Sequence, residues 1–221
     1  MRYGIMFDMD NTLLRSRIDF KGMRDDLLQL LITHQVGTVE SYEQEMTAAQ
    51  VIEKGKKLMA HLAERQELEQ KMDQIVVQYE LEGMKEAPLE KGVRSALAYL
   101  KGKGLVLTVV TNNAYSAAAK TLKTLGVFEY FNMVVGRDQM EALKPSPSGV
   151  QVVLKQFPHV KHWVMLGDSW IDGKAAQTAG VDFVAYQADI DHMHHLGVYP
   201  VDKVDDFAGF VRWVDQWLAL D

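Results

Sequence analysis

Cysteine is absent from all 221 residues. Its absence excludes disulfides, cysteine metal sites and thiol catalysis, and it fits a cytoplasmic address. No apolar stretch approaches the roughly 20 residues that a helix needs to cross a bilayer, so no membrane association is expected. The N-terminus lacks a charged leader followed by a long apolar region, so no signal peptide is expected. No long Lys/Arg block exists either. The 24 basic residues stand against 30 acidic ones, a formal net charge of −6. Nucleic-acid binding needs a basic face to neutralise phosphates, so nucleic acid is set aside as a partner. Internal repeats and low-complexity segments are missing as well. What remains, 48% hydrophobic and 24% charged, is the make-up of a folded domain long enough for a large core, or a core plus a smaller unit.

The most informative stretch is Met6-Phe7-Asp8-Met9-Asp10-Asn11-Thr12. It follows Tyr3-Gly4-Ile5-Met6-Phe7, which has the length and residue types of a buried parallel strand. Asp8 and Asp10 then emerge at the strand's carboxyl end, where open α/β sheets hold their ligands. Like charges that close repel unless a cation or a shared proton relieves them. The pair therefore points to a metal site, to a nucleophile with a proton-transfer partner, or to both.

Residues 15–87 change character and carry helical periodicity. Phe20, Met23, Leu27, Leu30 and Leu31 share one stripe, with Asp19 as a cap and Gly37 as a stop. Ser41 and Gln44 have the spacing of a capping box. Leu58, Leu62, Leu68, Met72, Ile75 and Tyr79 mark a further helical stripe to about Glu82, too long to run without a break. After Pro88, strands and helices alternate. Strands are expected at Leu105–Val110, Met133–Val135, Trp163–Leu166 and Asp182–Tyr186. Helices are expected at Ala114–Leu125, Ser148–Gln156, Trp170–Ala179 and Asp206–Leu218. Repeated βα units predict an α/β fold with a parallel sheet and right-handed crossovers. The expected organisation is a core of residues 1–14 and 88–221 with an all-helical insert, 15–87, joined near Leu14–Arg17 and Glu82–Pro88.

Four polar positions stand near strand or helix ends: Asp8/Asp10, Thr111-Asn112, Lys144 ahead of a helix, and Gly167-Asp168-Ser169-Trp170-Ile171-Asp172. Read singly, each is an ordinary cap or loop. Together they suit phosphoryl transfer, which needs positioning and charge stabilisation around the moving group. Asp8 would be the nucleophile, forming an aspartyl-phosphate. Mg²⁺ prefers oxygen ligands, so Asp8, the Asp10 carbonyl and Asp168 would hold it. The Asp10 side chain would protonate the leaving alkoxide and then activate water. The Thr111 hydroxyl and neighbouring main-chain donors around Asn112 would grip phosphate oxygens, with Lys144 as a point positive charge. Asp172, one helical turn past Asp168, would steady either the metal shell or Lys144.

These four motifs resemble those of the haloacid dehalogenase superfamily, over the whole chain. The position of the insert, and Pro88-Leu89-Glu90-Lys91-Gly92-Val93 after it, are similar to the phosphoglycolate phosphatase-like and β-phosphoglucomutase-like group with a C1-type helical cap. The resemblance implies a Rossmann-like core, a Mg²⁺ cofactor and a small phosphorylated metabolite as substrate. Dehalogenase members lack an acid at the Asp10 position and phosphonatase members carry Ala there, so Asp10 implies a phosphatase or a phosphomutase. Asn11 departs from the Gly that many members carry, but Asn tolerates left-handed backbone.

Other signals weigh less. Arg15 and Arg17 lie where capped members have the mouth of their site, and either would read a second anionic group on the substrate or simply be solvated. Asp189–His195 offers His192, His194 and His195 to a transition metal, or is an exposed loop. Trp213 and Trp217 read as core anchors. A calcium loop is excluded, since Leu13 and Asp19 stand where Gly and Glu are needed. A receiver-type signalling domain would be far shorter. A phosphatase, a phosphomutase and a catalytically idle binding protein stay open, as does a monomer against a homodimer.

Overall fold

The computed structural model describes residues 3–219. In chain order, β1 (Tyr3–Phe7) leads to three helices, α1 (Phe20–Thr33), α2 (Ala48–Leu58) and α3 (Arg65–Met84). Then follow α4 (Val93–Gly102), β2 (Val106–Val110), α5 (Tyr115–Thr124), β3 (Met133–Val135), α6 (Ser148–Gln156), β4 (His162–Gly167) and α7 (Trp170–Thr178). The chain closes with β5 (Asp182–Tyr186), α8 (Ile190–His195), β6 (Asp202–Val204) and α9 (Phe207–Leu218). Two compact units result: a core from the segments up to Ser16 and from Ala87 onward, and a helical unit, Arg17–Glu86.

The core is a six-stranded, all-parallel sheet in the order β3-β2-β1-β4-β5-β6, a Rossmann-like α/β arrangement. Chain direction along the sheet reverses beside β1, which makes the carboxyl ends of β1, β2 and β4 the crevice such sheets reserve for ligands. Both faces of β1 and β2 are buried, and that is why these strands read as continuous apolar runs. On one face, Met6, Val110, Met165 and Phe183 pack with Val150 and Val153 of α6 and Ala175 and Ala176 of α7. On the other, Phe7 meets Phe210 of α9 edge-on and Tyr186 packs on Phe207. Gly4 has no side chain because the Trp163 ring lies across it; an added Cβ would come within 2.4 Å of that ring.

In the helical unit, Asp19 caps α1 by accepting from the Gly22 N–H, as expected. Three local expectations need correction. The chain leaves α1 through Gln35, at φ 59, and not at Gly37. The box before α2 is Thr47 with Gln50, whose side chains bond each other's backbone N–H, while Ser41 closes a short 3-10 turn with Thr38. The expected break is present and falls at residues 59–64. The buried stripe of α3 is Leu68, Met72, Val76, Glu80 and Met84, so Ile75 and Tyr79 are only half-buried and Leu58 of α2 is exposed.

The core also holds α4, α8 and β6, which sequence reading left out. The His-rich segment is the short helix α8, capped by Asp189, with His192, His194 and His195 exposed. Trp213 and Trp217 of α9 stack on each other and are half-buried. No described helix is long and apolar enough to cross a membrane.

Candidate active site

Strand register builds the site. Phe7 pairs with Val109 and with Leu166. One step beyond, Asp8 leaves β1 with its N–H on the Leu166 carbonyl, at 2.9 Å. Thr111 follows β2 in the same way, and Asp168 follows β4. The turn after Asp8 runs through Asn11 at φ 55, the left-handed conformation expected of Asn there.

Lys144 binds these ends together. It reaches in from the loop before α6 and is 1% exposed. Its ammonium donates to Asp8 Oδ1 at 2.5 Å, to Asp172 Oδ1 at 2.6 Å and to the Val110 carbonyl at 2.9 Å. Burial alone would lower its pKa, but Asp172 and Asp8 more than offset that and the net shift is upward. Asn112 is spent on this loop: its amide donates to the Lys144 carbonyl and accepts from the Lys144 N–H. The Asn112 side chain thus braces Lys144, which leaves the main-chain phosphate contact expected here as it was.

Asp172 sits in the first turn of α7. Its Oδ2 accepts from the Ser169 N–H while the Ser169 hydroxyl accepts from the Ile171 N–H. Its Oδ1 meets Lys144, and the same carboxylate belongs to a cluster of acids at the strand ends. Gly167 makes room for this: a Cβ there would lie 2.6 Å from the Asp172 Cβ. We expect Gly167→Ala to push Asp172 off Lys144, lowering stability by about 1–3 kcal/mol and turnover with it. Thermal melts beside activity assays check this, and a variant unchanged in both contradicts it.

Carboxylate oxygens of Asp8, Asp168 and Asp172 lie within 4.8 Å of one another, the one such group of potential ligands among the described residues. Burial first, then Asp8, then Asp172, push the Asp168 carboxyl up to about 8. Burial and Asp8 raise Asp172 to about 7. Packed carboxylates of this kind fit a hard divalent cation, which would restore the balance that a single ammonium leaves short. The His192, His194 and His195 side chains join no such group among the described residues.

A pH dependence follows. Both folded-state values lie above the unfolded value of 3.8. Between these values the folded state holds more protons than the unfolded one, so stability falls as pH rises. The metal-free protein should melt on the order of 5 °C or more lower at pH 8.5 than at pH 6, and added Mg²⁺ should help most at the higher pH. A melting temperature rising over that interval without metal would contradict it.

Asp10 is held differently. Asn113, 4% exposed, donates from Nδ2 to Asp10 Oδ2 at 2.6 Å. Asp10 Oδ1 is buried with no hydrogen bond among the described residues. Burial, then Asp8, raise Asp10 to about 6, against smaller lowering influences from Asn113 and Ser16. Asn113 also donates its backbone N–H to the Thr111 hydroxyl, at 3.2 Å. Sequence reading stopped at Asn112 and missed Asn113, although the Thr-Asn-Asn run at the end of β2 was there to suggest it.

Arg15 forms a bidentate pair with the buried carboxylate of Glu90, at 3.0 and 3.1 Å, beside the bridge between Leu14 and Leu89. Arg17 is exposed and opens the helical unit, its backbone N–H on the Gly83 carbonyl. The structure shows Arg15 paired with Glu90 while its side chain stays largely exposed.

Comparison with known proteins adds a family. A model described as haloacid dehalogenase-like hydrolase matches residues 5–186. A phosphoglycolate phosphatase of Rhodobacter capsulatus is 31% identical over 134 residues, 58% of this chain and 58% of the relative. A phosphoglycolate phosphatase of Pseudomonas fluorescens is 27% identical over 198 residues, 85% of this chain and 70% of the relative. The first match thus spans little more than half of its relative's length. The crystal structure of a predicted phosphoglycolate phosphatase from Haemophilus somnus 129pt superposes with a TM-score of 0.65 at 20% identity, covering 97% of this chain and 99% of that one. At that identity the likeness speaks to the fold alone.

Proposed function

The chain belongs to the haloacid dehalogenase-like hydrolases, and on that premise we propose that it is a Mg²⁺-dependent phosphatase. Its substrate is a small organic phosphate monoester, as for relatives named phosphoglycolate phosphatase, and its intermediate is an aspartyl-phosphate on Asp8. The observation that carries this reading is the buried Lys144 ammonium shared between Asp8 and Asp172 at the carboxyl edge of the sheet. A solvent-free cation on a carboxylate at a strand end suits a nucleophile that must approach an anion.

In the first step an Asp8 carboxylate oxygen attacks phosphorus and the P–O bond to the ester breaks. Asp10 gives its proton to the departing alkoxide. In the second step Asp10, now a carboxylate, takes a proton from water, and that water attacks the phosphorus of the aspartyl-phosphate. Inorganic phosphate leaves and the Asp8 carboxylate is restored. Raised to about 6, Asp10 is suited to serve as both acid and base near neutrality. Thr111 and Lys144 hold the phosphoryl oxygens throughout. Asp8, the Asp10 carbonyl and Asp168 would hold Mg²⁺, with Asp172 behind them, and the ion offsets the repulsion between carboxylate and phosphate. The helical unit stands in the place of the cap that the resemblance implies, and the choice of substrate is assigned to it. The absence of cysteine supports a cytoplasmic setting.

Phosphatase names among the relatives favour hydrolysis over the transfer that a phosphomutase performs. The test is phosphate release over a panel of esters that includes phosphoglycolate, sugar phosphates and nucleotide monophosphates. Steady release from a single monoester with Mg²⁺, stopped by EDTA, is expected. Release that survives EDTA, or none from any ester, contradicts the reading.

A further inference from the structure

We infer that Asn113 is a positioning residue for Asp10: its side-chain amide sets which carboxyl oxygen carries the proton passed to the leaving group. This rests on the phosphatase reading above. Asn113 is a rigid arm. Its backbone N–H donates to the Thr111 hydroxyl and its carbonyl accepts the Arg137 N–H at 2.8 Å. From that fixed backbone the side chain spans a gap of 103 residues in sequence to meet Asp10 Oδ2 at 2.6 Å.

An amide nitrogen only donates. Oδ2 must therefore accept, in the acid form as in the carboxylate form, and the acid proton is confined to Oδ1. Oδ1 is buried and makes no hydrogen bond among the described residues, with the Ser16 hydroxyl near Asp10 as the other polar group on that carboxyl. A buried polar atom left unmatched is costly, which suits an oxygen kept for a ligand. The same arm orients Thr111. Its hydroxyl oxygen accepts from the Asn113 N–H, which leaves its hydrogen to donate elsewhere. One residue thus orders both a proton carrier and a phosphoryl donor, without touching the substrate.

Leaving-group dependence separates positioning from mere support of the fold. An alkoxide needs a proton to depart, whereas p-nitrophenolate departs well without one. The quantity to compare is kcat/KM, because it includes phosphorylation of Asp8 and is blind to the later hydrolysis. The probes are p-nitrophenyl phosphate and 2-phosphoglycolate, or whichever alkyl monoester ranks first in the panel above. Asn113→Ala should lose about 10- to 100-fold in kcat/KM on the alkyl ester. On the aryl ester it should lose less than about 3-fold, well short of a general acid's contribution. Asn113→Leu, close in volume and without a donor, should behave alike, and it carries the test if the alanine variant packs poorly.

Equal losses on both esters, or no loss on either, overturn the assignment of Asn113. Asp10→Asn provides the separate control. If that variant keeps full activity on the alkyl ester, or if the native protein releases no phosphate, the phosphatase reading itself falls. If Asp10→Asn loses the alkyl ester while Asn113→Ala and Asn113→Leu do not, only the inference about Asn113 falls.

Discussion

Replacing Asp8 with Asn is expected to abolish phosphate release, by about 10⁴-fold or more, in a protein that still folds. The amide has the shape of the carboxylate but is a poor nucleophile. The fold should survive because the change relieves crowding. Asp8 contributes to the upward push on Asp10, Asp168 and Asp172. Removing its charge lowers the repulsion among them, while Lys144 keeps Asp172 and the Val110 carbonyl. The metal-free melting temperature of Asp8→Asn should therefore hold near that of the native protein. Circular dichroism melts beside phosphate-release assays check both halves, and a variant with native turnover refutes the assignment of the nucleophile.

Lys144→Met should be as inactive yet behave oppositely in stability. It removes the ammonium that meets Asp8 and Asp172 and leaves three close carboxylates with no buried cation. Breaking a buried pair by deleting one partner costs about 3–5 kcal/mol, far more than an exposed pair is worth. The metal-free variant should melt roughly 10 °C lower, by the scaling of melting temperature with stability in a chain of this size. Excess Mg²⁺ should recover part of that loss, since it supplies positive charge to the same oxygens, but not turnover, since the phosphoryl oxygens lose their ammonium. A variant that melts with the native protein, or that keeps native turnover, contradicts the role given to Lys144. Measured together, the two substitutions separate charge balance from chemistry: both stop the reaction, and only one weakens the metal-free fold.

Much of this was legible before any coordinates. The apolar runs of β1, β2, β4 and β5 stood out because strands buried on both faces leave no polar alternation to confuse the pattern. The site was legible for the same reason: Asp8, Thr111 and Asp168 come straight after those runs, so strand register alone aligns them. Edges and short elements were harder. β6, three residues of Asp-Lys-Val at the rim of the sheet, is too short and too charged to show any period. α8 is barely more than one turn, and its buried face is the single residue Met193.

In the helical unit the apolar residues are dense enough that two neighbouring stripes fit the spacing. Packing within the helical unit is what buries Val76 and leaves Ile75 half-buried. Partners distant in sequence were also hidden. Nothing local says that Asn113 reaches Asp10, or that Arg15 is held by Glu90 75 residues away. Where a side chain's role depends on what arrives from another strand, its spacing along the chain carries no information about it.

The most direct test of the central claim is to trap the intermediate. The protein is mixed with substrate and Mg²⁺, quenched in acid within one turnover, and its peptides are read by mass spectrometry after borohydride reduction of acyl phosphates. The account predicts a phosphate on the peptide that bears Asp8, reduction at Asp8 itself, and neither in Asp8→Asn. Phosphate release at the native rate with Asp8 never modified, or a phosphate carried on another side chain, would contradict it.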